Sequence, residues 1–327
     1  MAQAVLGPAL PIPPALAVAL RAADRLGAEP GDTAIRSFFE LRFQPIRLTA
    51  SEAFFTGYYE PVLEASLTRT DRFTAPLLAR PDDLVTLASQ DARPAWARDL
   101  SALRRGPDGM LSPYPDRAAI EAAIQNGDYR PVVWLRDAVE AFTVQVQGSA
   151  RVTLPGGERL RLTYAGRNGL PYTSLGRVLA EAGVMPAAEL TMDRLKAWLR
   201  DKGTGPGQPG HALLMRNQSY IFFSAELDAG PEAGPIGGAG VPLVAGRSIA
   251  VDRTRWSYGL PFWVDVVLPD METRLRRLCV AEDTGSAIVG DTRVDLFLGS
   301  GEAAGRVAGA IRQRGGLTVL WPRELER

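Results

Sequence analysis

The sequence holds one cysteine and one histidine among its 327 residues, Cys279 and His211. An intrachain disulfide is excluded, and so are zinc sites built from several cysteines or several histidines. His211 stands in GTGPGQPGHALL, which predicts a loop, and it would have to serve any Ser-His-Asp or Cys-His catalytic group. Cys279 stands in the apolar stretch RLCVA and is expected to be a buried free thiol. We therefore expect no metal and no cofactor, and any catalysis must rest mainly on carboxylates.

The chain also lacks an excess of charge and a long apolar run. Lys plus Arg and Asp plus Glu number 37 each, so no net field attracts nucleic acid or an anionic membrane over long range. The apolar start MAQAVLGPALPIPPALAVAL is broken by prolines and has no basic region, so we predict neither a signal peptide nor a transmembrane segment. The segment AGPEAGPIGGAG, residues 229–240, has no Walker lysine and is followed by Pro242, so it predicts an interdomain linker or tight loop rather than a nucleotide site.

Length and patterning predict two domains of mixed structure. Apolar spacing predicts helices in PALAVALRAADRL, in TAIRSFFELRF with Asp32 as cap, in PAWARDLSALRR and in DRAAIEAAIQNG with Asp116 as cap. Further helices are predicted at Thr173-Ser174 and at Thr191, each with a capping hydroxyl before an apolar-periodic run. From Val241 the chain is strand-rich and ends with a helix in EAAGRVAGAIRQR.

Residues 132–166, VVWLRDAVEAFTVQVQGSARVTLPGGERLRLTYAG, alternate with a period of two. This pattern predicts a β-meander or hairpin that turns at Gly156-Gly157. On a strand, Gln145 and Gln147 would project from the same face. Amide side chains suit sugar hydroxyl and acetamido groups, which makes Gln147 a binding candidate.

Three aspartates lie at the ends or faces of C-terminal strands. Asp252 ends SIAVD, Asp283 ends CVAED, and Asp295 lies in RVDLFLG opposite the face that carries Val294 and Leu296. Each alone fits a turn former or a solvated strand edge. Three of them beside glycine-rich loops could instead converge on one cleft.

Asp283-Thr284-Gly285 is also the tripeptide that carries the catalytic carboxylate of aspartic proteases. Those enzymes need two such loops whose carboxylates share a proton, whereas the tripeptide occurs once in this chain. A pseudo-symmetric protease is therefore excluded, and a dimeric one would need the site at a subunit interface. We interpret the tripeptide as a turn that holds Asp283 in place.

Characteristic motifs recur in order from Ala53 to Gly316: FFTGYYEP, VWLRDAVEAFTVQVQGSARV, YAGRNGLPYTSLGRVLAEAG, NQSYIFF, GVPLVAGRSIAVDR, and AEDTGSAIVG followed by RVDLFLGSGEAAGR. Together they resemble the membrane-bound lytic murein transglycosylase A (MltA) family. The last part is similar to the family's three-aspartate (3D) domain, whose aspartates correspond to Asp252, Asp283 and Asp295 here.

The resemblance implies a fold that is mainly β with helices. It consists of a double-psi β-barrel formed by residues 1–65 and 241–327, and a smaller β-rich domain, residues 66–240, inserted between them. In the family, glycan binds in the groove between the two domains. The barrel is thus expected to be discontinuous in sequence.

The resemblance also implies an activity. Family members cleave the β-1,4 bond between N-acetylmuramic acid (MurNAc) and N-acetylglucosamine (GlcNAc) without water and leave a 1,6-anhydromuramic end. The motif assigns the single acid/base to Asp295, with Asp283 and Asp252 as neighbours. A nearby Asp283 carboxylate and partial burial would raise the pKa of Asp295, as its role as a proton donor requires.

The aromatic side chains of FFTGYYEP fit two interpretations: they pack in the core, or they form a wall against sugar rings. The resemblance favours Thr56 and Tyr58 as groove residues, and Tyr59 and Gln147 complete the expected substrate-binding set. The expected partner is the peptidoglycan glycan strand, bound by a monomer, with other cell-wall enzymes as possible partners. The expected location is the periplasm, with possible outer-membrane association. A glycan-binding module without catalysis and a two-carboxylate hydrolase using Asp283 or Glu282 are the alternatives.

Overall fold

The computed structural model describes residues 11–27, 29–48, 52–87, 95–186, 189–228, 230, 234–269 and 274–324. The chain divides into two compact units. Among the described residues, the insertion unit comprises those of Tyr59–Pro235 and Ser300–Gly309, and the barrel unit comprises those of 11–58, Ile236–Gly299 and 310–324. The chain passes from one unit to the other after Tyr58 and after Pro235, whereas the expected boundaries were at residues 65 and 240. The crossing at Pro235 lies in the predicted linker, of which residues 229 and 231–233 lie outside the described residues.

The strands are, in chain order, β1 (Phe43–Arg47), β2 (Ala53–Glu60), β3 (Val62–Glu64), β4 (Ala75–Leu78), β5 (Leu84–Thr86), β6 (Ala102–Arg105), β7 (Leu111–Pro113), β8 (Pro131–Leu135), β9 (Ser149–Thr153), β10 (Arg159–Arg167), β11 (Ile221–Leu227), β12 (Ser248–Ala250), β13 (Pro261–Val267), β14 (Arg274–Asp283), β15 (Arg293–Ser300) and β16 (Arg312–Pro322). The α-helices are α1 (Pro14–Ala23), α2 (Asp32–Arg42), α3 (Arg117–Ile124), α4 (Ala138–Gln147), α5 (Leu175–Glu181), α6 (Met192–Lys202), α7 (Pro209–Met215) and α8 (Gly301–Ala310). Short 3₁₀ turns lie at Asp24–Leu26 and Ala95–Ala97.

Six strands of the barrel unit form a closed sheet in the order β16-β13-β14-β12-β15-β2, because β2 also pairs with β16. β1 extends this sheet beyond β16. The β12–β14 pair is parallel, while β13 is antiparallel to both of its neighbours. Closure leaves these six strands without a free edge. The buried side chains of the unit include Phe55, Phe262, Cys279 and Phe297.

Cys279 is fully buried, as its apolar surroundings predicted. Burial raises the pKa of its thiol to about 11. The thiol therefore stays protonated at neutral pH, and the expectation of an inert core cysteine is confirmed.

The strand register brings two of the candidate aspartates to one place in the barrel. Ala250 on β12 pairs with Asp283 on β14, after a β-bulge, and with Asp295 on β15. Neighbouring strands lie about 4.8 Å apart, so the two aspartates flank the end of a strand that is only three residues long. With β12 parallel to β14 and antiparallel to β15, the carboxylates of β14 and β15 lie at the same level, beside Ala250.

The insertion unit contains a four-stranded sheet, β11-β10-β9-β3, with a β4-β8 pair and a three-stranded sheet, β5-β6-β7. One core cluster lies under the sheets and includes Leu77, Val133 and Phe223. A second cluster lies among the helices and includes Leu179 and Leu199. The predicted hairpin turn at Gly156-Gly157 joins β9 to β10, and Gly157 has the positive φ of 85° that such a turn requires.

One segment of the predicted meander is a helix instead of a strand. Helix α4 begins at a cap in which Asp137 accepts the Glu140 N–H at 2.7 Å, and it ends at Gly148, where φ is 80°. Val139 packs into the helical cluster, whereas Val144 packs into the cluster under the sheets. Because α4 is buried on two sides, its apolar residues do not form the single stripe that distinguishes a helix from a strand.

Three further local predictions were wrong. The segment PAWARDLSALRR forms a 3₁₀ turn and then β6, because the strand is held between β5 and β7. Asp32 is the first residue of α2, and Gly31 takes the cap position. His211 lies within α7 rather than in a loop. The other three predicted caps were confirmed. The side chains of Asp116, Ser174 and Thr191 accept a backbone N–H at the start of α3, α5 and α6, respectively.

Candidate active site

Asp295 projects from β15 and is held by a residue of β2. The Thr56 hydroxyl donates to Oδ1 of Asp295 at 2.5 Å. The same hydroxyl oxygen accepts a hydrogen bond from Nη2 of Arg293 at 2.8 Å. In the part of the chain that is described, no hydrogen bond reaches the second oxygen, Oδ2. Asp295 thus has one oxygen that Thr56 fixes and one that accepts no hydrogen bond within the described residues.

The environment of Asp295 favours its neutral form. Burial and, to a smaller extent, the neighbouring Asp283 carboxylate raise the pKa of this carboxyl, while the Thr56 hydrogen bond and the Arg293 charge lower it, and the net result is a pKa of about 6. A carboxylic acid with a pKa of about 6 keeps its proton in mildly acidic solution, where an ordinary aspartate has lost it. The expected directions of both burial and Asp283 are confirmed.

Asp283 ends β14 and is fixed by three donors. Its Oδ2 accepts the Tyr58 hydroxyl at 2.8 Å, and its Oδ1 accepts the backbone N–H groups of Gly238 and Thr284, each at 2.9 Å. Burial raises the pKa of Asp283 although these three hydrogen bonds oppose the shift. The Asp-Thr-Gly tripeptide therefore acts as a turn that orients its own carboxylate, in agreement with the interpretation from sequence.

Asp252 has a different environment. Its carboxylate accepts the N–H of Thr254 at 2.9 Å, the Thr254 hydroxyl at 2.6 Å and the N–H of Gly290 at 2.7 Å. Burial opposes ionisation, but these hydrogen bonds outweigh it, and the pKa of Asp252 lies below its ordinary value. No hydrogen bond joins Asp252 to the carboxylate of Asp283 or Asp295 within the described chain. Its geometry is that of an ionised residue that closes a turn.

The neighbouring carboxylate Glu282 is also engaged. The Ser248 hydroxyl donates to Glu282, and the pKa of Glu282 is raised by burial and by Asp283.

The face of β15 that carries Asp295 is more enclosed than its alternation suggested. Phe297, two residues after Asp295, is only 2% exposed, and its ring lies 5.4 Å from that of Tyr58. Tyr58 therefore packs in the barrel unit through its ring while its hydroxyl holds Asp283. Core packing is confirmed for this residue, and its role in a glycan groove stays a prediction.

The two other predicted binding residues lie together in the insertion unit. The Tyr59 N–H donates to Oε1 of Gln147 at 3.0 Å, and the Tyr59 ring lies 5.8 Å from Lys196 Nζ. Tyr59 is 8% exposed. Gln145 does not share a face with Gln147, because both are on a helix, and Gln145 is buried and accepts from Arg117 at 2.6 Å. The predicted pairing of the two glutamines was wrong for that reason.

Two participants were absent from the sequence-based set. Arg293 could have been found because it lies two residues before Asp295 and therefore on the same face of β15. Gly238 lies in the glycine-rich loop, where a backbone N–H donor to Asp283 leaves no side-chain signal. The barrel unit thus gathers Thr56, Tyr58, Asp283, Asp295, Arg293 and the Gly238 N–H.

The sequence matches the model of the MltA-specific insert domain over residues 54–224 and that of the 3D domain over residues 247–321. The chain belongs to the MltA family. Membrane-bound lytic murein transglycosylase A of Escherichia coli K12 is 30% identical over 273 residues, which cover 81% of this chain and 65% of that relative. The chain thus spans slightly less than two thirds of this curated MltA protein.

Solved MltA structures share the fold. A membrane-bound lytic murein transglycosylase from Agrobacterium tumefaciens is 36% identical, with a TM-score of 0.83 over 94% of this chain and 84% of that one. E. coli MltA with bound chitohexaose is 25% identical, with a TM-score of 0.71 over 94% of this chain and 83% of that one. The expected architecture of a double-psi β-barrel with an inserted β-rich domain is confirmed. Of the helices in the described residues of this MltA chain, none has the length and apolarity to span a membrane.

Proposed function

We propose that this protein is a lytic transglycosylase that cleaves the β-1,4 bond between MurNAc and GlcNAc in peptidoglycan and leaves a 1,6-anhydroMurNAc end. The observation that carries the proposal is Asp295, a carboxyl with a pKa of about 6, one oxygen held by Thr56 and the other open. The names of the MltA relatives and the chitohexaose bound to E. coli MltA support a glycan substrate.

One acid/base is sufficient for this reaction. The protonated Asp295 gives its proton to the glycosidic oxygen as the bond from C1 of MurNAc breaks, and GlcNAc leaves with a free hydroxyl. The resulting carboxylate then takes the proton of the C6 hydroxyl of MurNAc, whose oxygen forms the new bond to C1. The nucleophile is tethered to the reacting ring, so its effective concentration is high and no second carboxylate has to activate water.

The other carboxylates are less suited to a hydrolytic route. An inverting hydrolase needs a second carboxylate that can activate water, and a retaining one needs it as a nucleophile. Asp283 already accepts three hydrogen bonds, and Glu282 is held by Ser248. Their occupied oxygens favour a supporting role in which Asp283 keeps the pKa of Asp295 high.

The remaining predicted residues have assignable parts in this proposal. Thr56 and Tyr58 orient the Asp295 and Asp283 carboxylates. Gln147 uses its carbonyl oxygen to hold the backbone of Tyr59, and its amide N–H groups are the part that suits sugar acetamido oxygens. Asp252 supports the turn that contains Gly290. We further propose that a monomer binds glycan strands in the periplasm, with outer-membrane association.

Mass spectrometry of soluble products from purified peptidoglycan tests the activity. The wild type is compared with Asp295→Asn and with Asp291→Asn, a matched control whose carboxylate is exposed and pairs with Arg255 at 3.4 Å. We expect anhydro products, one water lighter than reducing muropeptides, from the wild type and from Asp291→Asn but not from Asp295→Asn. Reducing products would indicate a hydrolase. Glycan binding without products would indicate a binding module.

A further inference from the structure

The side chain of Arg293 is held by two contacts besides its hydrogen bond to Thr56. Its Nη1 donates to the carbonyl oxygen of Val294 at 2.7 Å, and its guanidinium carbon lies 5.2 Å from the centre of the Phe54 ring. The Nη2 atom then donates to Thr56 Oγ1 at 2.8 Å. The contact with the Phe54 ring and the hydrogen bonds of both terminal nitrogens hold the guanidinium in one orientation.

Counting hydrogens shows what this contact does to Thr56. A guanidinium can only donate, and a threonine hydroxyl has one hydrogen together with oxygen lone pairs. Because Arg293 donates to the hydroxyl oxygen, the single hydrogen of Thr56 is free to point elsewhere, and the atom at 2.5 Å is Oδ1 of Asp295. A hydroxyl whose oxygen already accepts from a charged donor directs its hydrogen to the nearest acceptor, so Arg293 favours the direction in which Thr56 donates to Asp295.

We propose that Arg293 is a positioning residue that, through Thr56, directs the catalytic proton of Asp295 to Oδ2. This inference rests on the proposed function. An oxygen that accepts the Thr56 hydrogen is a poor place for the acid proton, so the proton occupies Oδ2, which has no donor in the described part of the chain. Without Arg293 the Thr56 hydroxyl can rotate and accept from Asp295, and the acid proton is then shared with Oδ1.

Arg293 also acts through its charge. The charged and titratable groups that face Asp295 are Arg293 on its own strand, Asp283 on β14 and Tyr58 on β2. Arg293 lowers the pKa of Asp295 and Asp283 raises it. Loss of the Arg293 charge therefore raises the pKa of Asp295, and the decline of activity at high pH moves to higher pH. A residue with only a structural role would not move this limb of the profile.

The test is steady-state release of anhydro products by Arg293→Gln and Arg293→Lys across pH, with Arg255→Gln as a surface control, because Arg255 is 60% exposed in its side chain. We expect Arg293→Gln to lower kcat about tenfold with little change in KM and to move the high-pH limb upward. Arg293→Lys keeps the charge, so the limb stays in place while kcat falls because the guanidinium fork is lost.

A double-mutant cycle with Thr56→Val tests whether the effect passes through Thr56. We expect Arg293→Gln to lower kcat at the pH optimum in the wild-type background and to leave this maximal kcat unchanged in the Thr56→Val background, while the shift of the high-pH limb, which arises from the charge, occurs in both. An equal loss in both backgrounds overturns the inference, as does an Arg293→Gln profile identical to that of the wild type. If Arg293→Gln does not fold, the Arg293→Lys variant tests the inference instead. An unchanged kcat in that variant overturns the positioning role of Arg293.

The two proposals fail in different ways. If the wild type releases no anhydro product, or if Asp295→Asn retains activity, the proposed function is wrong whatever Arg293 does. If the wild type releases anhydro product and Asp295→Asn does not, only the Arg293 variants bear on the inference.

Discussion

Asp283 and Asp295 both pair with Ala250, from the two strands that flank β12. This shared partner fixes their spacing by strand geometry rather than by contact between their side chains. Each carboxylate is then oriented by a different residue of β2, Tyr58 for Asp283 and Thr56 for Asp295. Strand β2 thus supplies the hydrogen-bond donors that orient both aspartates.

Asp283→Asn is expected to shift the pH profile without abolishing activity. The Asp283 carboxylate raises the pKa of Asp295, so its replacement by a neutral amide lowers that pKa and moves the high-pH limb to lower pH. We expect kcat/KM at pH 7 to fall about 3- to 10-fold. The amide oxygen can still accept from Gly238 and Thr284, so the turn is retained. A profile that moves to higher pH would contradict this electrostatic role.

Asp295→Asn is expected to make the protein inactive and more stable above pH 6. The raised pKa of Asp295 means that the folded state binds this proton more tightly than the unfolded chain, so stability falls as pH rises from about 4 to about 6. An amide is not subject to this loss. We expect a gain in unfolding free energy of about 1–3 kcal/mol at pH 7.5 and almost none at pH 4. Urea unfolding of the wild type and the variant at both pH values measures this gain. Equal stability of the two proteins at pH 7.5 would refute the raised pKa of the buried Asp295.

Asp252→Ala is expected to lower stability more than chemistry. It removes an acceptor for Thr254 and Gly290, and we expect a loss of about 1–3 kcal/mol in unfolding free energy. Because the folded pKa of Asp252 is lowered, its contribution is complete above about pH 4 and is lost as pH falls through the folded pKa. Urea unfolding at pH 7 and pH 3 checks the sign, with Asp291→Ala as control. Loss of activity at unchanged stability would instead show a direct catalytic role.

Glu60→Gln is expected to destabilise the insertion unit strongly. Glu60 is fully buried and accepts from Arg151 Nε at 2.8 Å and from the Ser300 hydroxyl at 2.6 Å. Removal of its charge leaves a buried arginine without its nearest counterion, so we expect a loss of about 3–5 kcal/mol. Ser300→Ala removes one neutral donor and should cost about 1 kcal/mol. Similar losses in the two variants, measured by urea unfolding, would show that the charge is unimportant.

Local signals in the sequence were reliable at most positions where one or two residues decide the structure, although the predicted cap at Asp32 was wrong. The caps at Asp116, Ser174 and Thr191 and the hairpin turn at Gly157 were predicted because each depends on a hydrogen bond or a φ angle within a few residues. Helix α4 and strand β6 were mispredicted because burial on two sides, in one case, and pairing with distant strands, in the other, determine those segments. The predicted catalytic roles of Asp252, Asp283 and Asp295 stay predictions. So do the predicted binding roles of Thr56, Tyr58, Tyr59 and Gln147.

The sequence by itself determined the restriction to carboxylate chemistry, the strand-rich C-terminal part and, through its motifs, the MltA family. Only the tertiary structure decided which carboxyl has a pKa of about 6 and which of its oxygens Thr56 holds. Thr56 and Asp295 are 239 residues apart in the chain, and Arg293 and Thr56 are 237 apart. A pKa depends on burial and on neighbouring charges in space, and those neighbours come together only when the barrel closes.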